Sequence, residues 1–164
     1  VRCELLNRKS RVHITMVQMP ALNTPQFDWC RTRLPKHPRP VAPVYQPEVA
    51  AKAIYWAAHH KRREMQVGIS SPLTIWGNKL FPWFMDWYLA KNAVGGQQTD
   101  KPVEKDRPDN MFHPVEGDYA AHGSFGNEAK DGSFELKLSF FRDRILWGIL
   151  ILILLILLSG IVFD

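Results

Sequence analysis

Six histidines, two cysteines and sixteen carboxylates are the residues of this 164-residue chain best equipped for acid–base, metal or redox work. Their spacing argues against most of it. His59 and His60 are adjacent, so on a helix their side chains point about 100° apart, a poor geometry for chelation. Lys61, Arg62 and Arg63 follow immediately and would repel a cation. His113 and His122 lie in a polar stretch with no cysteine or paired carboxylate at metal-ligand spacing, so no metal site is expected. Asp28, Glu48 and Asp86 are candidate acids, but nothing in the sequence ties any two together, and solvated or capping roles suit them better. Cys3 and Cys30 lack disulfide-framework spacing and a nearby histidine partner; they read as reduced thiols. The excess of 21 basic over 16 acidic residues is small and scattered, which argues against a nucleic-acid partner.

The elements that must position these residues come in blocks. Glu4, Leu5 and Leu6 resemble the last turn of a helix, and the chain starts at Val1 in what reads as the middle of an element, as a piece of a longer protein would. Residues 12–18 (VHITMVQ) are apolar and β-branched, too short for a useful helix, and read as a strand entering a loop at Pro20 and Pro25. The proline-rich stretch 20–46 predicts a surface loop or lid with at most a helical turn around residues 27–33. From Pro47, apolar residues at Val49, Ala50, Ala53, Ile54, Ala57 and Ala58 form one helical stripe. Pro47 suits the first helical position, and Glu48 and Lys61–Arg63 complement the two ends of the dipole. Residues 65–69 (MQVGI) read as a second strand. Strand, connection with helix, strand is the pattern of a parallel α/β sheet, in which ligands bind beyond the carboxyl ends of the strands. Residues 73–92 predict an aromatic helix broken at Pro82. It either packs its rings on the domain or lies in a lipid headgroup layer.

At this point a family comes into view. The ordered blocks CELL, VHITMVQMPALNTPQFDW, YQPEVAAKAIYWAAHH and MQVG resemble the C-terminal half of a short-chain dehydrogenase/reductase. The stretch QQTDKPVEKDRPDNMFHPVEGDYAAHGSFG is similar to the tail of one bacterial subgroup, so the resemblance covers residues 1–127. It implies NAD or NADP as cofactor on a Rossmann sheet. It also implies a Pro-Gly loop ending in the threonine that contacts the nicotinamide carboxamide. Pro20 and Thr24 match that loop, with Ala21 in place of glycine and Thr24 one position early. Residues 25–46 correspond to the family's variable substrate loop. The family's two other signatures are absent. None of Tyr45, Tyr55, Tyr88 and Tyr119 has a lysine four residues later, and no Gly-x-x-x-Gly-x-Gly occurs. Without a proton donor and a pyrophosphate cradle, no catalytic residue is assigned, and activity by this chain alone is not expected.

The C-terminus carries nineteen consecutive uncharged residues, 145–163, thirteen of them Leu or Ile. As a helix they would extend roughly 28 Å, close to a bilayer's hydrocarbon thickness. Lys130, Lys137, Arg142 and Arg144 precede the run and only Asp164 follows it, so the positive-inside rule predicts a cytoplasmic body. The expected organisation is therefore α/β: residues 1–92 as the incomplete C-terminal part of a Rossmann-like domain, 93–144 as an extended polar arm, and 145–163 as one transmembrane helix. The expected partners are the lipid bilayer and, in a complete protein, a small-molecule substrate, with a homo-oligomer as a further expectation. The leading functional expectation is the C-terminal part of a membrane-anchored NAD(P)-dependent short-chain oxidoreductase. The alternative is a tail-anchored membrane interaction protein without redox activity.

Overall fold

The computed structural model describes residues 1–117 and 119–162, with side chains through residue 157. Helix α1 (Arg2–Asn7) leads into an extended segment and strand β1 (Met16–Gln18). The expected strand at 12–18 is shortened: pairing with β5 begins at Met16, while the Ile14 carbonyl accepts the Arg2 guanidinium at 2.6 Å and the Thr15 hydroxyl donates to the Arg62 carbonyl at 2.6 Å. Strand β2 (Ala21–Leu22), the turn of helix α2 (Gln26–Trp29), and strands β3 (Lys36–Pro38) and β4 (Val44–Tyr45) fill the proline-rich stretch. Helix α3 (Pro47–His59) has its proline in the first turn beside Glu48, as the capping chemistry requires. Strand β5 (Glu64–Gln66), helices α4 (Ser70–Leu80) and α5 (Pro82–Gly96), strand β6 (Gln98–Pro102) and helix α6 (Phe134–Val162) complete the order.

The strands do not join into one Rossmann-like sheet, and that expectation is corrected. They form three two-stranded sheets: β1 with β5, parallel; β2 with β4, parallel; β3 with β6, antiparallel. Strands of two to five residues, separated by prolines that cannot donate to a ladder, leave too little edge to merge. The fold is mixed α/β with small sheets. Its core is Tyr45, Val49, Ala53, Met65, Val67 and Leu136, where one face of α3 and the first turns of α6 close over β4 and β5.

The expected membrane span is likewise corrected: among the described residues no helix is long and apolar enough to cross a membrane. The first turns of α6 carry Glu135, Lys137, Arg142, Asp143 and Arg144, and Leu136 is buried in the core. The described apolar run, residues 145–157, reaches about 20 Å at 1.5 Å per residue, short of a hydrocarbon core of about 30 Å. The remainder of the expected span, residues 158–163, lies outside the described side chains. The single-pass orientation falls with it.

What α6 does in this structure is dock. Ser133 Oγ accepts the Leu136 amide at 3.0 Å, an N-terminal cap. Arg62, buried at the end of α3, donates to the Ser139 carbonyl at 2.6 Å and hydroxyl at 3.0 Å and reaches Asp143 at 3.4 Å. Its guanidinium lies over Trp56, which stacks in turn on His60 and Phe140. The Asp143 carboxyl lies below the usual carboxylate range, held there first by the Arg142 hydrogen bond and then by Arg62, with desolvation opposing them. A depressed acid stabilises the fold while ionised, so its contribution is present at neutral pH and is lost as pH falls through that lowered value. Hydrogen exchange across the first turns of α6 should therefore accelerate selectively under strong acid. An Asp143→Asn variant should show the faster exchange already at neutral pH.

The aromatic segment breaks into two helices at Phe81, with Pro82 opening the second. Neither helix buries a residue. Its rings do not pack on the core: Phe84 packs against Trp83, Trp87 and Tyr88 instead.

Candidate functional site

Strands β1 and β5 run side by side in register, Met16 opposite Glu64 and Gln18 opposite Gln66. Their carboxyl ends therefore open at the same place, and that is where a parallel pair offers a ligand site. The chain leaves β1 through Met19 and Pro20 into β2, and leaves β5 through Val67 and Gly68 into α4. Between the two exits lies a cavity of about 410 Å³ whose lining includes Gln18, Pro20, Ala21, Val41, Ser70 and Thr74. Ser70 and Thr74 lie on the first turns of α4, whose orphan amides favour an electronegative group.

Two features hold this wall in place. Gly68 adopts φ +72°, and a Cβ there would sit 2.8 Å from Tyr45 Cε2 and 3.1 Å from Pro20 Cβ. The bare backbone lets Pro20 and the fully buried Tyr45 ring close on the turn. The second feature is Gln18, whose backbone carbonyl accepts the Val67 amide at 3.0 Å. Its Oε1 is buried and has no hydrogen-bond partner among the described residues. A buried acceptor without a donor is costly.

Of the three residues singled out by sequence, Pro20 and Ala21 line this cavity. Thr24 is placed differently. Its amide bonds to the Leu22 carbonyl at 3.0 Å, and its own carbonyl is covered by Gly123, where a Cβ would lie 2.5 Å from Thr24 O. Sequence reasoning missed Asn23. It is completely buried, its backbone N–H bonding Tyr45 O at 2.8 Å and its backbone C=O receiving the Gly123 amide at 3.1 Å. Its side chain accepts the Phe125 amide at 2.9 Å and donates to Gln46 Oε1 at 3.0 Å. Residues 122–125 thus form a strap across the loop that carries Thr24. The strap is pinned further by His122 to Glu48 at 2.8 Å and Ser124 to Asp28 at 2.9 Å. An asparagine between Leu and Thr gave no signal of this, because its partner lies 102 residues away.

The remaining candidates stand apart from the cavity. His59 and His60 each use Nδ1 on a carbonyl of the preceding helical turn, at 2.8 Å; His59 lies tilted against Tyr55 and His60 stacks on Trp56. Among the described residues, no group of three or more His, Cys, Asp or Glu is arranged to hold a metal ion.

No family model matches the chain, and no solved structure matches it. One curated protein does. Over 103 residues, 62% of this chain, it is 28% identical to an uncharacterized oxidoreductase of Bacillus subtilis (strain 168), YxnA. The chain is a weak homologue of an oxidoreductase. It spans 29% of that relative's length.

Proposed function

We propose that this chain supplies the nicotinamide- and substrate-facing part of an NAD(P)-dependent oxidoreductase of the short-chain dehydrogenase/reductase type, and that it is inactive by itself. The observation that carries the reading is the cavity at the joint exit of β1 and β5, with Pro20, Ala21, Ser70 and Thr74 on its wall. These residues fit a nicotinamide. Pro20 and Ala21 would flank the ring, and Ser70 and Thr74 would meet its polar edge. When bound, the nicotinamide supplies the hydride acceptor or donor. The residues of this chain orient it and exclude water from one face. The weak homology to an oxidoreductase supports the same reading, and both NAD and NADP suit the site. The pyrophosphate cradle and the Tyr-x-x-x-Lys proton donor are not in this sequence, so they would come from a complementary part.

A chimera tests this directly. Replacing the 103 matching residues of the Bacillus subtilis relative with those of this chain should leave a protein that binds NADH or NADPH as tightly as the unaltered relative does in the same titration. Loss of that binding in a chimera that still unfolds cooperatively would count against the proposal.

A further inference from the structure

Helices α4 and α5 fold against each other at Gly77, where a Cβ would stand 3.1 Å from Met85 Sδ, and they leave their large side chains outside. Leu73, Trp76 and Leu80 recur at helical spacing on α4, and Phe84, Trp87 and Tyr88 do so on α5; all six are exposed. Trp83, between the two sets, is 72% exposed. An apolar surface of this extent marks an interaction site. The apolar length of α6 adjoins it. A hollow of about 610 Å³ is lined by Pro72 and Trp76 from α4 and by Leu138, Ile145 and Leu146 from α6, so the two helices border one space. Residues 145–157 are exposed at every position. The nearby cations are not neutralised. Lys79, Lys91 and Arg144 have no acidic partner among the described residues. They lie over the Trp76, Trp87 and Phe141 rings instead, at 5.2, 4.3 and 5.9 Å. Asp86 is the one carboxylate in residues 70–96.

We propose that this face binds an anionic lipid surface, with α4 and α5 lying in the headgroup layer and the apolar turns of α6 entering the acyl region of the same leaflet. The all-round apolarity of α6 decides the occupant. A protein partner would cover one face of residues 145–157 and leave the others in water, whereas acyl chains close around the whole helix. That run reaches about 20 Å, enough for the roughly 15 Å of hydrocarbon in one leaflet and too little for two. Indole and phenol rings favour the headgroup boundary, where an apolar body and a polar tip are both satisfied. Lys79, Lys91 and Arg144 supply the charge that acidic headgroups complement.

The test synthesises the full chain in a cell-free reaction supplied with phosphatidylcholine vesicles, with or without phosphatidylglycerol, and floats the vesicles through a density gradient. The chain should float with the anionic vesicles and, at limiting lipid, partition at least about tenfold less onto the neutral ones. Exchanging both exposed lysines, Lys79→Glu with Lys91→Glu, should lower partitioning onto the anionic vesicles by about tenfold or more. Removing two exposed rings, Trp83→Ser with Trp87→Ser, should lower it by a similar factor and leave the far-ultraviolet spectrum unchanged. Failure to float with either vesicle, equal flotation with both, or variants that float as the parent does would each overturn the proposal. A discrete oligomer that stays at the bottom of the gradient would also overturn it, and would assign the face to a second copy. None of the substituted residues lines the cavity at the strand exits, so the outcome is independent of the oxidoreductase reading.

Discussion

Gly68→Val should be the most damaging single substitution in the chain, removing most of its cooperative unfolding transition. Two effects add. Valine is β-branched and is placed at φ +72°, a region it enters at a cost of about 1–3 kcal/mol. Its Cβ would also stand 2.8 Å from Tyr45, a ring that is 1% exposed and has no room to retreat among Val49, Ala53 and Met65. Overpacking of that kind adds a further 1–3 kcal/mol or so. A core built from a handful of buried side chains has little stability in reserve to absorb the sum. Gly132→Ala is the control, because nothing lies within 4 Å of a Cβ there. Urea titrations followed by circular dichroism should show Gly68→Val with a lost or strongly shifted midpoint and Gly132→Ala close to the parent. Equal midpoints would mean that the Pro20–Gly68–Tyr45 contact does not hold the cavity wall.

Asn23→Leu should rank second, at about 2–4 kcal/mol. The substitution keeps volume but leaves the Phe125 amide and the Gln46 side-chain oxygen without partners, each costing about 1–3 kcal/mol when buried. Its expected signature is local as well as global. Hydrogen exchange at Gly123 and Phe125 should rise further than exchange in α3, because the strap loses its anchor while the helix keeps its packing. A melting temperature within a degree of the parent, with Phe125 still protected, would show that the strap is held by the His122–Glu48 and Ser124–Asp28 contacts alone.

The parts of this fold that were legible in the sequence are those set by neighbours along the chain. Helix α3 announces itself through Pro47, Glu48 and an apolar stripe of period 3.6, and all of that is local. Pro82 likewise marks the break between α4 and α5. Of the candidate site, the positions of Pro20 and Ala21 at the cavity follow from the loop that leaves β1, whereas the burial of Gln18 Oε1 and the covering of Thr24 by Gly123 depend on distant neighbours. Arg62 is the clearest lesson. In a run of three basic residues it reads as a solvated helix end, yet only it is buried, clamped by Ser139 and Asp143 from 77 and 81 residues away. Contacts at that separation leave no periodicity to detect. The apolar run after Arg144 taught the converse, since its composition says nothing of the charged, docked turns with which the same helix begins.

Titration of the full chain with NADH, followed by energy transfer from its six tryptophans, tests the central claim most directly. On the proposed reading the chain lines one side of a nicotinamide site; it carries neither the glycine-rich phosphate loop, whose helix amides supply much of the binding energy for a dinucleotide, nor the Tyr-x-x-x-Lys pair. The predicted result is a weak, non-saturating signal and no NADH oxidation with any added ketone. Saturable binding at micromolar NADH, or turnover by this chain alone, would contradict it.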